Sequence, residues 1–300
     1  MPKPFESKKI LITGASGMLG TSILSEFEKF HSITACYNRN KPKVLSPNIR
    51  TVSIDLSNKE QLDSINFESQ FDEIIHCAAN TKVNECQVNF DQAFNDNVRA
   101  TLNLIDRFNA KKTRFTYISS DAIYPDLDYP KNEIQTPQPA SSYALTKKWG
   151  EDVVLAKWLG KSLIFRTTIV GPSTNHFCAW ILTESLKNKP IDLYKDVIFS
   201  PISTRNLSKK LLKIINSADL SGIFNIGGSP PITKAEFGKQ ILKFSGNKCP
   251  INLINMPSSQ ASTPRSKNMS LDTTKISNEI GPMPTPTETI KEVLDELKLH

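Results

Sequence analysis

Short apolar runs alternate along the chain with segments whose apolar residues recur at helical spacing. KKILITG (8–14) predicts a buried strand, and the segment after it places Leu19, Ile23, Phe27 and Phe30 on one helical face. ITACYN (33–38), VSIDL (52–56), EIIHCAA (73–79), RFTYISS (114–120) and SLIFRTTIVG (162–171) read as further strands, separated by helical patterns such as FDQAFNDNVRATLNLIDRF (90–108). Strand, helix, strand in repetition predicts an α/β fold built on a doubly wound parallel sheet of the Rossmann type. Beyond Gly171-Pro172 the rhythm changes. HFCAWILTESLKNKP and an irregular stretch to SPIS are followed by helical LSKKLLKIINSA, strand-like GIFNIGG and helical KAEFGKQILKF, and MPSSQASTPRSKN carries a Pro/Ser loop signal before a terminal helix, TETIKEVLDELKL. The expected organisation is a dinucleotide-binding domain over 1–172, completed by about 196–228 as GIFNIGG returns to the main sheet. A smaller α+β substrate lobe over 173–300 would leave a ligand cleft between the two.

Composition narrows the classes. With 300 residues and no run of about 20 apolar residues, the chain is expected to be cytoplasmic and to need no membrane. Five cysteines, Cys36, Cys77, Cys86, Cys178 and Cys249, are widely spaced and form no CxxC pair, so neither a metal site nor a disulfide framework is expected. The net charge of +7 comes from scattered lysines, with no basic block interleaved with aromatics. Nucleic acid is therefore not an expected partner, whereas polyanionic small ligands are.

The chemistry concentrates in three places. Gly14, Gly17 and Gly20 form GxxGxxG directly after the first strand and at the head of a helix, where a dinucleotide's diphosphate would sit. At the end of the second strand YNRNK supplies Asn38 and Arg39 where an NAD site would carry an acid, so NADP(H) is favoured and NAD(H) is the alternative. Downstream of YISSD, the segment YALTK puts Tyr143 and Lys147 one helical turn apart. A cation there is expected to lower the phenol's pKa from about 10 towards neutrality, making it a proton donor.

With these residues in view the chain resembles the extended short-chain dehydrogenase/reductase superfamily, and within it the dTDP-4-dehydrorhamnose reductase family. The resemblance covers nearly the whole length. GASGMLG is similar to that family's nucleotide turn, which implies cofactor contacts from Gly14, Ser16, Gly17, Met18, Leu19 and Gly20. Asp55-Leu56 falls where relatives meet the adenine, and IHCAANTKVNE implies that Ala78, Ala79 and Asn80 line the cofactor. ISSDAIY implies Ser120 as the catalytic hydroxyl beside Tyr143 and Lys147, with Asn97 in NDNVRAT as the supporting asparagine linking Lys147 to solvent. FRTTIVGP, FSPIS, GIFNIGG and RSKNMSLD follow in the family's order. Arg166 and Arg265 are candidates for the substrate's diphosphate or nucleotide, although Arg166 has the alternative of pairing with a carboxylate. Asp121 either bonds a sugar hydroxyl or caps the turn after its strand.

The implied reaction is NADPH-dependent reduction of a nucleotide-linked 4-keto-6-deoxysugar. A sugar-nucleotide epimerase would be expected to show an acid in place of YNRN, and a 4,6-dehydratase a glutamate where Ala122 stands. A third alternative is a non-catalytic NADP-binding protein like the regulatory subunit of methionine adenosyltransferase, which the intact Ser120, Tyr143 and Lys147 disfavour. Thr21 occupies the place of a glutamate that helps some relatives form a magnesium-linked dimer, so a homodimer, if formed, is expected to lack that bridge.

Overall fold

Runs such as KILIT are apolar at consecutive positions because both faces of their sheet are covered. In the computed structural model, Ile10 and Ile12 point into one core with Ile23, Phe27, Leu207 and Phe224, while Leu11 between them points into a second with Ile74, Leu104, Phe115 and Ile164. The structure describes all residues except 1–5, 44–45, 68–69, 109–111, 174–175, 188, 218–219, 258–262 and 299–300. The expected loop at 256–268 therefore lies partly outside the described residues.

The first half runs β1 (Lys9–Thr13), α1 (Met18–Phe27), β2 (Ser32–Tyr37), β3 (Ile49–Ser53), α2 (Lys59–Ser64) and β4 (Glu73–His76). It continues through α3 (Val83–Val88), α4 (Phe90–Phe94), α5 (Ala100–Arg107), β5 (Arg114–Ile118), α6 (Ser142–Lys157) and β6 (Ser162–Val170). Then come α7 (Phe177–Ser185), β7 (Ile191–Tyr194), β8 (Ile198–Phe199), β9 (Pro201–Ser203), α8 (Thr204–Ser217) and β10 (Gly222–Ile226). The remainder is β11 (Ile232–Thr233), α9 (Lys234–Ser245), β12 (Ile251–Ile254), β13 (Asn268–Met269), α10 (Thr274–Ile280) and α11 (Pro286–Lys298).

The main sheet has the order β10-β6-β5-β4-β1-β2-β3, every pair parallel, with β9 added to the far end of β6. This is a doubly wound Rossmann sheet, and its order reverses between β1 and β4, where ligands bind in such sheets. A third core gathers α7, α9 and α11 around Phe199, Phe237 and Ile241, beside the β12–β7 pair and the β11-β8-β13 sheet. No helix among the described residues is long and apolar enough to cross a membrane.

Two helical readings need correction. Phe30 lies beyond α1, which ends at Phe27, and is 41% exposed because the chain turns there to enter β2. The single helix read over 90–108 is α4 and α5 joined by a π-turn over Asn95–Arg99, a widening often found beside functional sites.

Candidate active site

A cavity of about 450 Å³ opens at the C-terminal ends of β1, β2 and β4. Gly14 begins the turn at φ +64°, and a Cβ on it would come within 2.6 Å of the Ala78 nitrogen, so two sheet strands can end side by side only with glycine there. Gly20 lies in α1, where a Cβ would meet the Gly14 carbonyl oxygen at 2.2 Å; its absence lets the helix seat on the turn. Gly14, Ser16 and Gly17 line the cavity. Met18, Leu19 and Gly20 do not, contrary to expectation, because α1 rotates them toward protein. Leu19 is buried in the core, and Met18 packs close to Gly171.

Asn38 and Arg39 form the rim at the end of β2, both exposed, and Arg39 makes no salt bridge among the described residues. Asp55 and Leu56 line the same cavity. The Asp55 carboxylate accepts from the Ser57 N–H at 2.9 Å and the Ser57 hydroxyl at 2.7 Å.

Ala78, Ala79 and Asn80 form the opposite wall. They are held by Asn97, whose placement in the π-turn lets its side chain reach across. Its oxygen accepts the Asn80 N–H at 2.7 Å, and its amide donates to the Asn80 carbonyl at 3.1 Å and the Thr146 hydroxyl at 3.0 Å. Asn97 thus staples Asn80 to Thr146 of α6.

Ser120 follows β5, Tyr143 begins the first turn of α6, and Lys147 lies one turn on. The Ser120 hydroxyl acts on the Tyr143 phenol; Ser120, Tyr143 and Lys147 do not themselves line the cavity, but Lys147 acts on Cys77, which does. Ser120 also donates to Asp121 at 3.1 Å and accepts the Ala122 N–H at 3.2 Å. The Lys147 ammonium lies 4.1 Å from the centre of the Tyr117 ring and has no hydrogen-bond acceptor among the described residues. Burial lowers its pKa to about 7, with Glu151 and Cys77 opposing. Tyr143 moves opposite to expectation. Burial pushes its phenol up to about 12, Ser120 acting against the shift and Asp121 adding to it, while the ammonium faces Tyr117 instead. Tyr143 is therefore a phenol at neutral pH, the form from which a proton can be given.

Asp121 is buried, accepting from Ser120 and Thr168, and burial raises its carboxyl pKa to about 6. Its side chain bonds the turn as one alternative foresaw. Arg166 requires a correction as a substrate contact. It lies within β6, 2% exposed, donating to both Glu151 oxygens at 3.0 and 2.8 Å and to the Tyr124 hydroxyl at 2.8 Å. A guanidinium so occupied is the foundation of α6 and is not free for a phosphate. Arg265 is exposed and donates to Asn84 at 3.1 Å. Glu151, which the sequence reading passed over, carried a signal: in YALTKKWGE it continues the Tyr143–Lys147 face by one more turn.

The residues fit a dinucleotide: glycines where a diphosphate must approach backbone, an exposed guanidinium at one end with no salt bridge among the described residues, and at the other a buried ammonium with no hydrogen-bond acceptor among them. A family model described as the RmlD substrate binding domain matches residues 8–299. The chain is 24% identical over 279 residues to the probable low-salt glycan biosynthesis reductase Agl14 of Haloferax volcanii, covering 90% of this chain and 91% of that one. It is 31% identical over 160 residues to the methionine adenosyltransferase 2 subunit beta of Rattus norvegicus, covering 53% of this chain and 46% of that protein. The chain thus spans about half the length of that relative. The crystal structure of dTDP-4-dehydrorhamnose reductase from Bacillus anthracis in complex with NADP superposes with a TM-score of 0.83 at 24% identity, covering 97% of this chain and 100% of that one.

Proposed function

The chain belongs to the RmlD substrate binding domain family, and we propose that it is an NADPH-dependent reductase of a nucleotide-linked 4-keto-6-deoxysugar, acting in the cytoplasm in deoxysugar or cell-surface glycan synthesis. The observation that carries this reading is Tyr143 and Lys147 one turn apart on α6, with Ser120 acting on the Tyr143 phenol and Lys147 on Cys77 in the wall of a cavity that fits a dinucleotide.

Bound NADPH supplies the hydride for the carbonyl carbon. Gly14, Ser16 and Gly17 admit its diphosphate to the head of α1, and Arg39 meets the 2′-phosphate. Lys147 would donate to the nicotinamide ribose, giving its ammonium an acceptor that it lacks among the described residues. Ser120 turns its hydroxyl from Asp121 to the substrate's carbonyl oxygen and steadies the negative charge that develops there. Tyr143 releases its proton to that oxygen as the alcohol forms. Arg265, exposed on the small lobe, contacts the nucleotide end of the substrate. An epimerase or dehydratase is not favoured by Arg39 and Ala122, and a regulatory role is not favoured by the complete Ser120, Tyr143 and Lys147 set.

The test is net oxidation of NADPH by the purified protein with dTDP-, UDP- and GDP-linked 4-keto-6-deoxysugars. One alcohol formed per NADPH consumed supports the reading. Isomerisation without net oxidation, or binding of NADPH with no turnover of any keto sugar, contradicts it.

A further inference from the structure

Lys147 is 3% exposed, and at neutral pH the titratable groups around its ammonium offer it little compensating charge. Burial keeps Cys77 a thiol, pushed up to about 12, and keeps His76 at the end of β4 neutral, pushed down to about 3. Tyr143, one turn back on α6, is an uncharged phenol. Glu151, one turn on, is ionised, but both its oxygens are held by Arg166 of β6. What lies against the ammonium is the ring of Tyr117 from β5, its centre 4.1 Å from Nζ.

That ring is itself held in place. His76 packs on it with centroids 5.8 Å apart, and His76 is fixed in turn by the hydroxyls of Thr13 at 2.6 Å and Thr101 at 3.0 Å. At the other end of the side chain Gly150 of α6 makes room for the phenol, since a Cβ there would meet the Tyr117 Oη at 2.1 Å. A glycine inside a helix weakens it. Here it lets the ring lie against α6 beside Lys147, three residues earlier on the same face. The Tyr117 hydroxyl also donates to the Lys147 carbonyl oxygen at 3.4 Å. A cation set over an aromatic face in a dry site is attracted by the ring's quadrupole, and this opposes the loss of the proton that burial favours.

We propose that Tyr117 is a positioning residue for Lys147, its ring face forming a preformed seat that holds the ammonium charged and in place for the cofactor's ribose. The link to the ribose rests on the reductase reading, but the seat does not. Gly150 and His76 serve the same purpose one step back, by fixing the ring.

The test is an NMR titration of the cofactor-free protein carrying isotope-labelled lysine Cε, the Lys147 signal being identified by its loss in Lys147→Arg. Wild type is compared with Tyr117→Phe and with mono- and trifluorinated phenylalanine at position 117, which keep the ring and its packing while draining charge from its face. In the wild type the Lys147 εCH2 protons should be shifted upfield by the ring, and Tyr117→Phe should retain both that shift and the titration midpoint. Trifluorination should weaken the ammonium's hold on its proton by roughly threefold to tenfold relative to Tyr117→Phe, the monofluorinated ring falling between. NADPH affinity, measured by calorimetry on the same proteins, should begin to fall at correspondingly lower pH. A Lys147 signal without the upfield shift overturns the proposal, and so does a midpoint that is the same with and without fluorine. A midpoint that follows the fluorine series while NADPH affinity does not upholds the seat and contradicts the contact between Lys147 and the ribose.

Discussion

Lys147 and Glu151 lie one turn apart on α6, the first with its ammonium over the Tyr117 ring at 4.1 Å and the second locked to Arg166 through both carboxylate oxygens. The anchored carboxylate favours the lysine's charge, but burial outweighs it and leaves the lysine titrating near pH 7. The same face carries Tyr143, so one helix presents a proton donor, a tunable cation and the anchor for both.

The first prediction follows from the Lys147 titration. Its pKa is lowered, so the ammonium predominates below about pH 7 and is progressively lost above it. Because the cofactor's hydroxyls require the charged form, NADPH affinity should fall between pH 7 and 9, a range in which the 2′-phosphate, with a pKa of about 6, is already ionised. Binding in that range should take up protons, detectable by calorimetry in buffers of different ionisation enthalpy. Lys147→Arg should flatten the profile. Wild-type affinity independent of pH, with no proton uptake, contradicts the assignment.

Arg39 governs the choice of cofactor. Calorimetric titration should show NADPH binding more tightly than NADH, and Arg39→Asp should reduce that preference by roughly tenfold or more, because a charge-assisted bond is replaced by repulsion. Equal affinities of the wild type for the two cofactors would remove the reason for calling this an NADP site.

Arg166 is expected to report on folding. Glu151→Gln or Arg166→Ala leaves its partner charged and buried, which costs about 3–5 kcal/mol, so each variant should melt well below the wild type. Tyr124→Phe, which removes one of three bonds to the guanidinium, should cost less. An Arg166→Ala protein with an unchanged melting temperature and a raised substrate KM would restore its role as a substrate contact.

The parts of the site that were readable from sequence are those where backbone geometry dictates the residue. Gly14 had to be glycine because its φ is positive and Ala78 lies against it, and the parallel sheet was legible because strands covered on both faces need unbroken apolar runs. Side-chain partners were much less legible. Arg166 sits in an otherwise apolar strand with its carboxylate 15 residues away, and no local spacing reveals that pairing. Asn97 was identified as a supporting residue, but the π-turn that aims it at Asn80 leaves no pattern in the sequence. The direction of the Tyr143 shift follows first from burial of its phenol, a property of the packed interior rather than of YxxxK spacing.

The central claim is that Tyr143 gives its proton to the reduced carbonyl oxygen. The most direct measurement is the turnover of an accepted 4-keto sugar nucleotide by Tyr143→Phe, with NADPH affinity measured on the same preparation. Removing only the hydroxyl should leave α6 and the cofactor turn intact, so kcat should fall by about 10²–10⁴-fold while NADPH binds nearly as in the wild type. Wild-type turnover in Tyr143→Phe would contradict the account.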